Sequence, residues 1–241
     1  MRPRARLLPC RGPCGWSGFT LIELLVVVAV IAILASLVMP VVLNSMRKAT
    51  AANCTSNLKQ LGATMIVYGK EHSMLIVTCR NDFTRSGTND PIYWHHTLEP
   101  YVGDRGVFSC PAKEYASVGY GENYRVLGGI NSGLSLWHAY QSMDMVRNPS
   151  GAVIFCDTAY IINRDVQPHD WIEHRSAVLR GYCRARIESY TAYESDPWRA
   201  VGRHPAHKAN CLFFDSRVDP IDIAELYAPM YGEPECLMDN Q

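Results

Sequence analysis

The residue types best suited to bind a metal ion lie in the last third of the chain. His204, His207 and Cys211 form an H-x2-H-x3-C cluster, and His169 and His174 form a second pair. Imidazole and thiolate are ligands that zinc favours in proteins. Because neither group has a C-x2-C arm or a helix that would place both imidazoles on one face, we predict no zinc site there. We expect His204 to be hydrogen-bonded in the last hairpin.

Three carboxylates near the C-terminus, Asp215, Asp219 and Asp222, form a weak calcium candidate. Calcium takes about 6–8 oxygen ligands, so three side chains with a proline between them are a partial set. Asp219 and Pro220 are instead typical of the N-cap and first residue of a helix, here one that ends near Tyr227. We therefore predict no cofactor and no metal, with calcium as the alternative.

The chain has nine cysteines, and all except Cys183 and Cys236 fall into three groups. Cys10 and Cys14 lie in the basic N-terminal segment, and Cys156 and Cys211 lie in apolar runs typical of buried thiols. The better candidates for a disulfide bond are Cys54, Cys79 and Cys110. The seven that follow the N-terminal segment are an odd number, so at least one thiol is free or paired between chains. Spacing alone assigns no pair.

Composition and motifs exclude two broad classes of function. The chain contains no G-x-S-x-G, H-E-x-x-H or P-loop motif, so we predict that it is not an enzyme. Lys plus Arg and Asp plus Glu number 23 each, which leaves no basic field to attract nucleic acid. A hydrophobic content of 48% excludes a mainly disordered chain.

The N-terminal region combines a basic leader with an apolar segment. Residues 1–18 contain four arginines and no acid, and Leu24–Leu43 is a run of 20 residues without charge. As a helix, such a run spans about 30 Å, the hydrocarbon thickness of a bilayer. The excess of positive charge before it favours a cytoplasmic N-terminus and a periplasmic head.

Two ordinary explanations compete for this segment. A secretory signal has an apolar stretch of about 7–15 residues before a small-residue cleavage site. Residues 49–51 (ATA) resemble such a site, but the apolar run is longer and Arg47 and Lys48 intervene. A plain signal anchor fits the length and charge, but it leaves residues 18–23 (GFTLIE) unexplained.

A third explanation uses Gly18 and Glu23. Because glycine has no Cβ, Gly18 could let an extended backbone enter a protease site. Cleavage after Gly18 would leave Phe19 as an apolar N-terminus and Glu23 as the fifth residue. A carboxylate at the start of an apolar helix is costly unless it is paired. The amino terminus of a neighbouring copy would be such a partner, which predicts lateral packing of these helices in a filament.

Residues 18–23, after a basic leader and before an apolar helix, resemble the class III signal peptide of type IV pilins and type II secretion pseudopilins. The resemblance implies cleavage after Gly18 and N-methylation of Phe19 by a prepilin peptidase. It also implies other pilin-like subunits and the inner membrane as partners. Pro40 sits where many pilin helices carry a kink-forming proline.

The polar region that follows keeps a helical period. Leu58, Leu61, Met65 and Tyr68 are spaced to form one apolar face, and Gly69 is a plausible helix end. Beyond it, short apolar runs have the length of strands. These runs are Met74–Val77, Ala152–Cys156 and Cys211–Phe214, separated by turn-rich stretches at Arg80–Pro91, Gly128–Gly133 and Arg147–Gly151.

These patterns predict an α+β, type IV pilin-like fold, with a long N-terminal helix packed on a small antiparallel sheet with long loops. We divide the chain into a leader at 1–18, a transmembrane helix at 19–43, an amphipathic continuation at 44–70 and a globular head at 71–241.

The head shows a second, weaker resemblance, to pseudopilin-like proteins abundant in planctomycetes. It rests on residues 54–62 (CTSNLKQLG), 107–111 (VFSCP) and 147–150 (RNPS), and on a final His and Asp. Those proteins end in His, nine residues and Asp-Gly, whereas ten residues separate His204 from Asp215 here and Ser216 replaces the glycine. Because serine tolerates a positive φ poorly, we predict a different turn.

Two functions follow from these observations. The first is a structural subunit, processed by prepilin peptidase and assembled into a type II secretion pseudopilus or a type IV pilus-related filament. The alternative is a membrane-anchored extracytoplasmic module that recognises polysaccharide or a secreted substrate through the loops of residues 80–140. Aromatic residues that could line its surface are Trp94, Tyr101, Tyr120, Tyr124, Trp137 and Tyr140.

Overall fold

The structure is a computed structural model of the 241-residue chain. It describes residues 18–78, 80–84, 91–113, 118–123, 129–130, 136–137, 142–163, 166–174, 182–183 and 198–227. Predictions for the leader before Gly18, for Cys79, Tyr124 and Tyr140, and for the side chain of Trp137 lie outside the described residues. The chain divides into two compact units, residues 1–44 and 45–241.

The helix α1 extends from Leu21 to Glu71, so the predicted helix is confirmed and ends two residues beyond Gly69. In the first unit its apolar side chains are exposed, as at Leu34 (57%). Among the described residues, α1 is the one helix long and apolar enough to cross a membrane. Pro40 lies inside α1, and its predicted kink stays a prediction.

In the second unit, one face of α1 packs on a sheet. The predicted face is confirmed, because Leu58, Leu61 and Met65 are buried and Tyr68 packs against the same core. Gly62 also lies on this face, where an added Cβ would stand 3.2 Å from Leu212. Glycine therefore lets the helix approach the sheet closely.

The other elements are short. The strands are β1 (Arg80–Thr84), β2 (Pro91–Tyr93), β3 (Tyr120–Asn123), β4 (Gly129–Ile130), β5 (Leu136–Trp137), β6 (Val153–Tyr160), β7 (Tyr182–Cys183), β8 (Trp198–Ala200), β9 (Lys208–Phe213) and β10 (Val218–Asp222). The helices are α2 (Trp94–Leu98) and α3 (Ile223–Tyr227). Short 3-10 turns lie at Glu99–Tyr101, Arg105–Phe108, Met143–Met145, Pro168–Asp170 and Pro205–His207.

The described strands form two sheets. One has the order β2-β1-β4-β5, and the other has the order β10-β9-β6-β3-β7, with β8 also paired to β6. All pairs are antiparallel except β1 with β4 and β3 with β7. The central strand β6 is buried along almost its whole length. This arrangement, a long helix with a small, mainly antiparallel sheet, confirms the predicted α+β pilin-like class.

Two of the predicted strands are confirmed in β6 and β9, but the first is wrong. Met74–Val77 does not form a strand, and Leu75 makes an isolated bridge with Ser142. The reason is local: Ser73 and Met74 have φ values of 56° and 64°, which belong to the turn that ends α1 and not to extended chain. Conversely, the stretch predicted as turn-rich at Arg80–Pro91 contains β1 and the start of β2.

The predicted start of the last helix is also wrong. Asp219 and Pro220 lie within β10, and α3 begins at Ile223 with the Asp222 carboxylate accepting the Ala224 N–H at 2.8 Å. Proline is tolerated here because β10 is an edge strand among the described strands. It pairs only with β9, so no neighbouring strand on its other side requires a backbone N–H from residue 220. The predicted end at Tyr227 is confirmed.

The turn between β9 and β10 contradicts the prediction made from serine. Ser216 adopts φ 69°, so the turn keeps the left-handed residue that a glycine would occupy. The Phe213 N–H donates to the Arg217 carbonyl at 2.9 Å, and the Ser216 N–H donates to the Phe213 carbonyl at 3.0 Å. Closure of the hairpin therefore holds Ser216 in a conformation that costs about 1–2 kcal/mol for an L-residue.

Candidate functional sites

The start of α1 is closed by a reciprocal pair of side chains. The Glu23 carboxylate accepts the Thr20 backbone N–H at 2.8 Å and the Thr20 hydroxyl at 2.7 Å, and the Glu23 N–H donates to the Thr20 hydroxyl at 3.2 Å. This is a capping box, which satisfies two backbone donors at a helix start. The T-x-x-E spacing was visible in the sequence, although the sequence analysis assigned Glu23 only to a neighbouring copy.

The two residues of the predicted cleavage site are accessible. Phe19 is 69% exposed. A Cβ added at Gly18 would meet no atom of the described residues within 4 Å. Cleavage between Gly18 and Phe19 and methylation of Phe19 stay predictions, as does intermolecular pairing of Glu23. An open, uncovered bond is what a protease would require at this position.

A second site is buried in the head and joins four distant segments. Cys54 comes from α1, Cys110 follows the 3-10 turn Arg105–Phe108, Asp157 lies in β6 and His204 precedes β9. One ligand atom from each of these four side chains lies within 4.8 Å of the others, and all four residues are buried. Their atoms are Sγ, Sγ, a carboxylate oxygen and a ring nitrogen, a set that can coordinate a transition metal.

Direct contacts connect the four side chains. His204 Nε2 lies 3.1 Å from Asp157 Oδ2 and 3.7 Å from Cys110 Sγ. Cys54 Sγ lies 3.4 Å from Asp157 Oδ1. Asp157 Oδ2 also accepts the Asn210 backbone N–H at 2.8 Å. Asp157 therefore stands at the centre of the cluster.

Arg203 supports the cluster from one side. Its side chain is 4% exposed, and Nη1 lies 3.8 Å from Asp157 Oδ1 and donates to the Gly119 carbonyl at 2.8 Å. Its Nε donates to Glu173 at 2.7 Å. A Cβ added at Gly119 would lie 2.3 Å from the Cys110 N, so only glycine lets this strand end approach Cys110. These contacts hold the Arg203 guanidinium in place, so that a positive charge lies beside the Asp157 carboxylate.

The protonation of the cluster follows from the same contacts. The hydrogen bond from Cys54, helped by His204, lowers the pKa of Cys110 to about 7. Burial opposes the charge of His204, but its hydrogen bonds to Asp157 and Cys110 outweigh burial and raise its pKa to about 9. Burial likewise opposes the charge of Asp157, but His204 and Arg203 hold its pKa below the usual value. These contacts favour a protonated His204 beside an ionised Asp157.

His204 is hydrogen-bonded as predicted, but its side-chain partners Asp157 and Cys110 were not predicted. His204 also makes a backbone bridge with Lys208 beside β9. Cys54 and Cys110 were considered for a disulfide bond, and both are free thiols here. Asp157 was not singled out, although it is the charged residue inside the apolar strand VIFCDTAY. An ionisable side chain within such a buried strand was a readable signal, because burial of a lone charge is costly.

The other histidines and cysteines proposed from the sequence lie elsewhere. The rings of His169 and His207 are 4.9 Å apart, and His169 Nε2 lies 2.9 Å from Asp222 Oδ1. Cys211 faces Cys156 across β6 and β9, and both are buried as predicted. The H-x2-H-x3-C spacing therefore does not bring its three members together in one ligand set among the described residues.

The three C-terminal aspartates each have an arginine or histidine partner. Asp215 lies 3.7 Å from Arg217, and Asp219 forms an ion pair with the same guanidinium. Asp222 pairs with His169, and this hydrogen bond lowers the pKa of its carboxyl. The pairing gives each of the three carboxylates a partner within the protein, and the absence of a metal there stays a prediction, with calcium as the alternative.

Comparison with known protein families identifies the N-terminal motif. Residues 17–39 match the family model of the prokaryotic N-terminal methylation motif. No curated protein and no solved structure matches the chain significantly. The match shows that the chain carries a prepilin-type methylation motif, and the long helix with its small, mainly antiparallel sheet has a pilin-like layout.

Proposed function

We propose that this chain is a structural subunit of a type II secretion pseudopilus or a type IV pilus-related filament, and supports protein secretion. The observation that carries the proposal is the methylation motif at residues 17–39, which leads directly into the exposed apolar part of α1. An apolar helix surface of this length needs lipid or neighbouring helices to cover it. In the membrane lipid covers it, and in a filament the same part of other subunits does.

The topology proposed for the precursor places the N-terminus in the cytoplasm and the head in the periplasm. Its support is the cluster of arginines before the apolar run, which follows the positive-inside rule. The partners would be prepilin peptidase, the inner membrane and other pilin-like subunits, with no nucleic acid. The role is one of assembly and not of catalysis.

The alternative, a membrane-anchored binding module, receives less support. Of its candidate aromatic residues, Trp94 and Tyr120 are completely buried in the core. Tyr101 is partly exposed, and its hydroxyl lies 3.0 Å from His72 Nε2 at the end of α1. Such residues stabilise the fold and offer little face to a glycan.

N-terminal mass spectrometry of the membrane-extracted protein tests the processing step. The expected mature chain begins with N-methyl-Phe19, and Gly18→Ala should accumulate the uncut precursor. A wild-type chain that still begins at Met1 would contradict the proposal and favour the binding module. A start near residue 52 would instead mean an ordinary secreted protein.

A matched pair of substitutions tests assembly. Thr20→Ala and Glu23→Ala both break the capping box, at a cost of about 0.5–2 kcal/mol to the helix start, but only Glu23→Ala removes the carboxylate. Both variants should be cleaved normally, and only Glu23→Ala should lose incorporation into filaments. Equal loss in both variants would mean that helix capping, and not pairing with a neighbouring amino terminus, is what assembly requires.

A further inference from the structure

We propose that Cys54, Cys110, Asp157 and His204 form a structural zinc site that fastens the head to α1. The first support is the ligand set. Two thiols, a carboxylate and an imidazole are the donors found in four-coordinate zinc sites, and thiolates favour zinc strongly over calcium or magnesium. All four side chains are buried and converge on one point from four separate segments.

The spacing of the ligand atoms fits a tetrahedron. Zinc bound at about 2.0–2.3 Å from each ligand separates neighbouring ligand atoms by about 3.3–3.8 Å. Three of the six separations are 3.1 Å from His204 to Asp157, 3.4 Å from Cys54 to Asp157 and 3.7 Å from Cys110 to His204, and all six lie within 4.8 Å. Zinc binding would draw together any pair of ligand atoms wider than the tetrahedral separation.

The surroundings suit the charge of such a site. Two thiolates, one carboxylate and a neutral imidazole around zinc leave one excess negative charge. Arg203, 3.8 Å from Asp157, lies where it can offset that charge, although it also pairs with the part-exposed Glu173. The Asn210 N–H holds Asp157 Oδ2 at 2.8 Å, the kind of outer contact that orients a metal ligand.

The position of the site explains what it would do. All four coordination places are taken by protein, and the side chains are shielded from water, so the site is closed and structural instead of catalytic. It would join α1, β6 and the segments before β3 and β9. Asn57 already connects α1 to the Ser109 carbonyl beside Cys110 at 3.0 Å. A zinc ion would connect α1 to the segment of Cys110 far more strongly than this hydrogen bond does.

A disulfide between Cys54 and Cys110 is the competing arrangement in an oxidising compartment. It would join the two sulfurs and leave Asp157 and His204 paired with each other beside the bond. The proposal predicts instead that both cysteines remain reduced and bound to metal. The two arrangements differ in mass, in metal content and in the effect of changing Asp157 or His204.

The test uses the full-length protein, extracted in mild detergent without chelators. Elemental mass spectrometry should find about one zinc per chain, and denaturation with an alkylating agent but no reductant should modify both Cys54 and Cys110. After removal of zinc, added Co²⁺ should give the absorption bands of thiolate-bound, tetrahedral cobalt. Cys54→Ser, Asp157→Asn and His204→Gln should each weaken zinc binding at least tenfold.

The matched control is Cys211→Ser, which changes an equally buried cysteine in a separate core cluster and should leave zinc content unchanged. Should the ligand variants fail to fold, zinc content and the cobalt spectrum of the unaltered chain still decide. A peptide with Cys54 linked to Cys110 would overturn the proposal in favour of the disulfide. It would equally be overturned by a reduced full-length chain that takes up neither zinc nor cobalt, or by Asp157→Asn retaining zinc at full affinity.

Discussion

Residues 21–43 and residues 54–69 belong to the same helix, but their side chains meet opposite surroundings. In the first stretch leucine, isoleucine and valine are exposed, as Leu34 shows at 57%. In the second, Leu58 and Leu61 are completely buried beneath the sheet. Both stretches are helical, although the first contains Pro40 and the second contains Gly62, so secondary structure alone does not distinguish them.

The difference lies in what covers the apolar surface. The second stretch is amphipathic, with one apolar and one polar face, and the head of the same chain covers the apolar face. The first stretch is apolar all round, so its cover has to come from lipid or from other copies of the chain. The stability of the head should therefore depend on residues 54–69, and assembly should depend on residues 21–43.

The largest expected effect is on the stability of the head, and the same substitution, leucine to alanine, is made once in each stretch. Leu61→Ala should lower the free energy of unfolding of the head by about 2–5 kcal/mol, because it opens a cavity in the core. Leu34→Ala should change it by no more than about 0.5 kcal/mol. Urea unfolding of the full chain in detergent measures both, followed by tryptophan fluorescence, to which the buried Trp94 contributes. Equal losses would show that residues 21–43 contribute to the stability of the head.

A second prediction concerns a buried carboxyl group inside the head. Glu122 in β3 is completely buried, neither of its carboxylate oxygens has a hydrogen-bond partner in the described part of the chain, and burial raises its pKa well above the usual value. The folded state therefore keeps the proton that the unfolded state loses above about pH 4.3. The contribution of Glu122 to stability should be full below that pH and fall as pH rises towards the raised pKa, by at most about 1.4 kcal/mol per unit.

Glu122→Gln should remove this loss, so the variant should be more stable than the unaltered chain at neutral pH and similar to it below about pH 4. Chemical unfolding repeated across this pH range measures the difference. The exposed Glu225 provides the control, since Glu225→Gln should leave the pH dependence as it was. A variant at Glu122 that keeps the full pH dependence would show that another group causes it.

The smallest effect is expected at the β9–β10 turn. Ser216→Gly should stabilise the head by about 0.5–1 kcal/mol, because glycine adopts φ 69° without the cost of a Cβ but loses more chain entropy on folding. Ser216→Ala keeps the Cβ and should give no gain. Thermal unfolding of the three chains compares them. A gain in the alanine variant would mean that the serine hydroxyl, and not the backbone, disfavours the turn.

Local patterns predicted most of the long helix and two strands of the head. The apolar face of Leu58, Leu61 and Met65 was readable because helical periodicity depends only on spacing along the chain. The helix start at Asp219 and the turn at Ser216 were predicted wrongly. There, pairing of β10 with β9 overrides the local preference of proline and serine.

The sequence by itself determined the processing motif, the apolar segment and the α+β class, because each depends on residue types at short spacing. Only the tertiary structure decided that Cys54, Cys110, Asp157 and His204 come together. They are spread over three-fifths of the chain, and no periodicity relates them. Their meeting depends on how α1 packs on β6 and on the register of β6 with β9, which are properties of the whole fold.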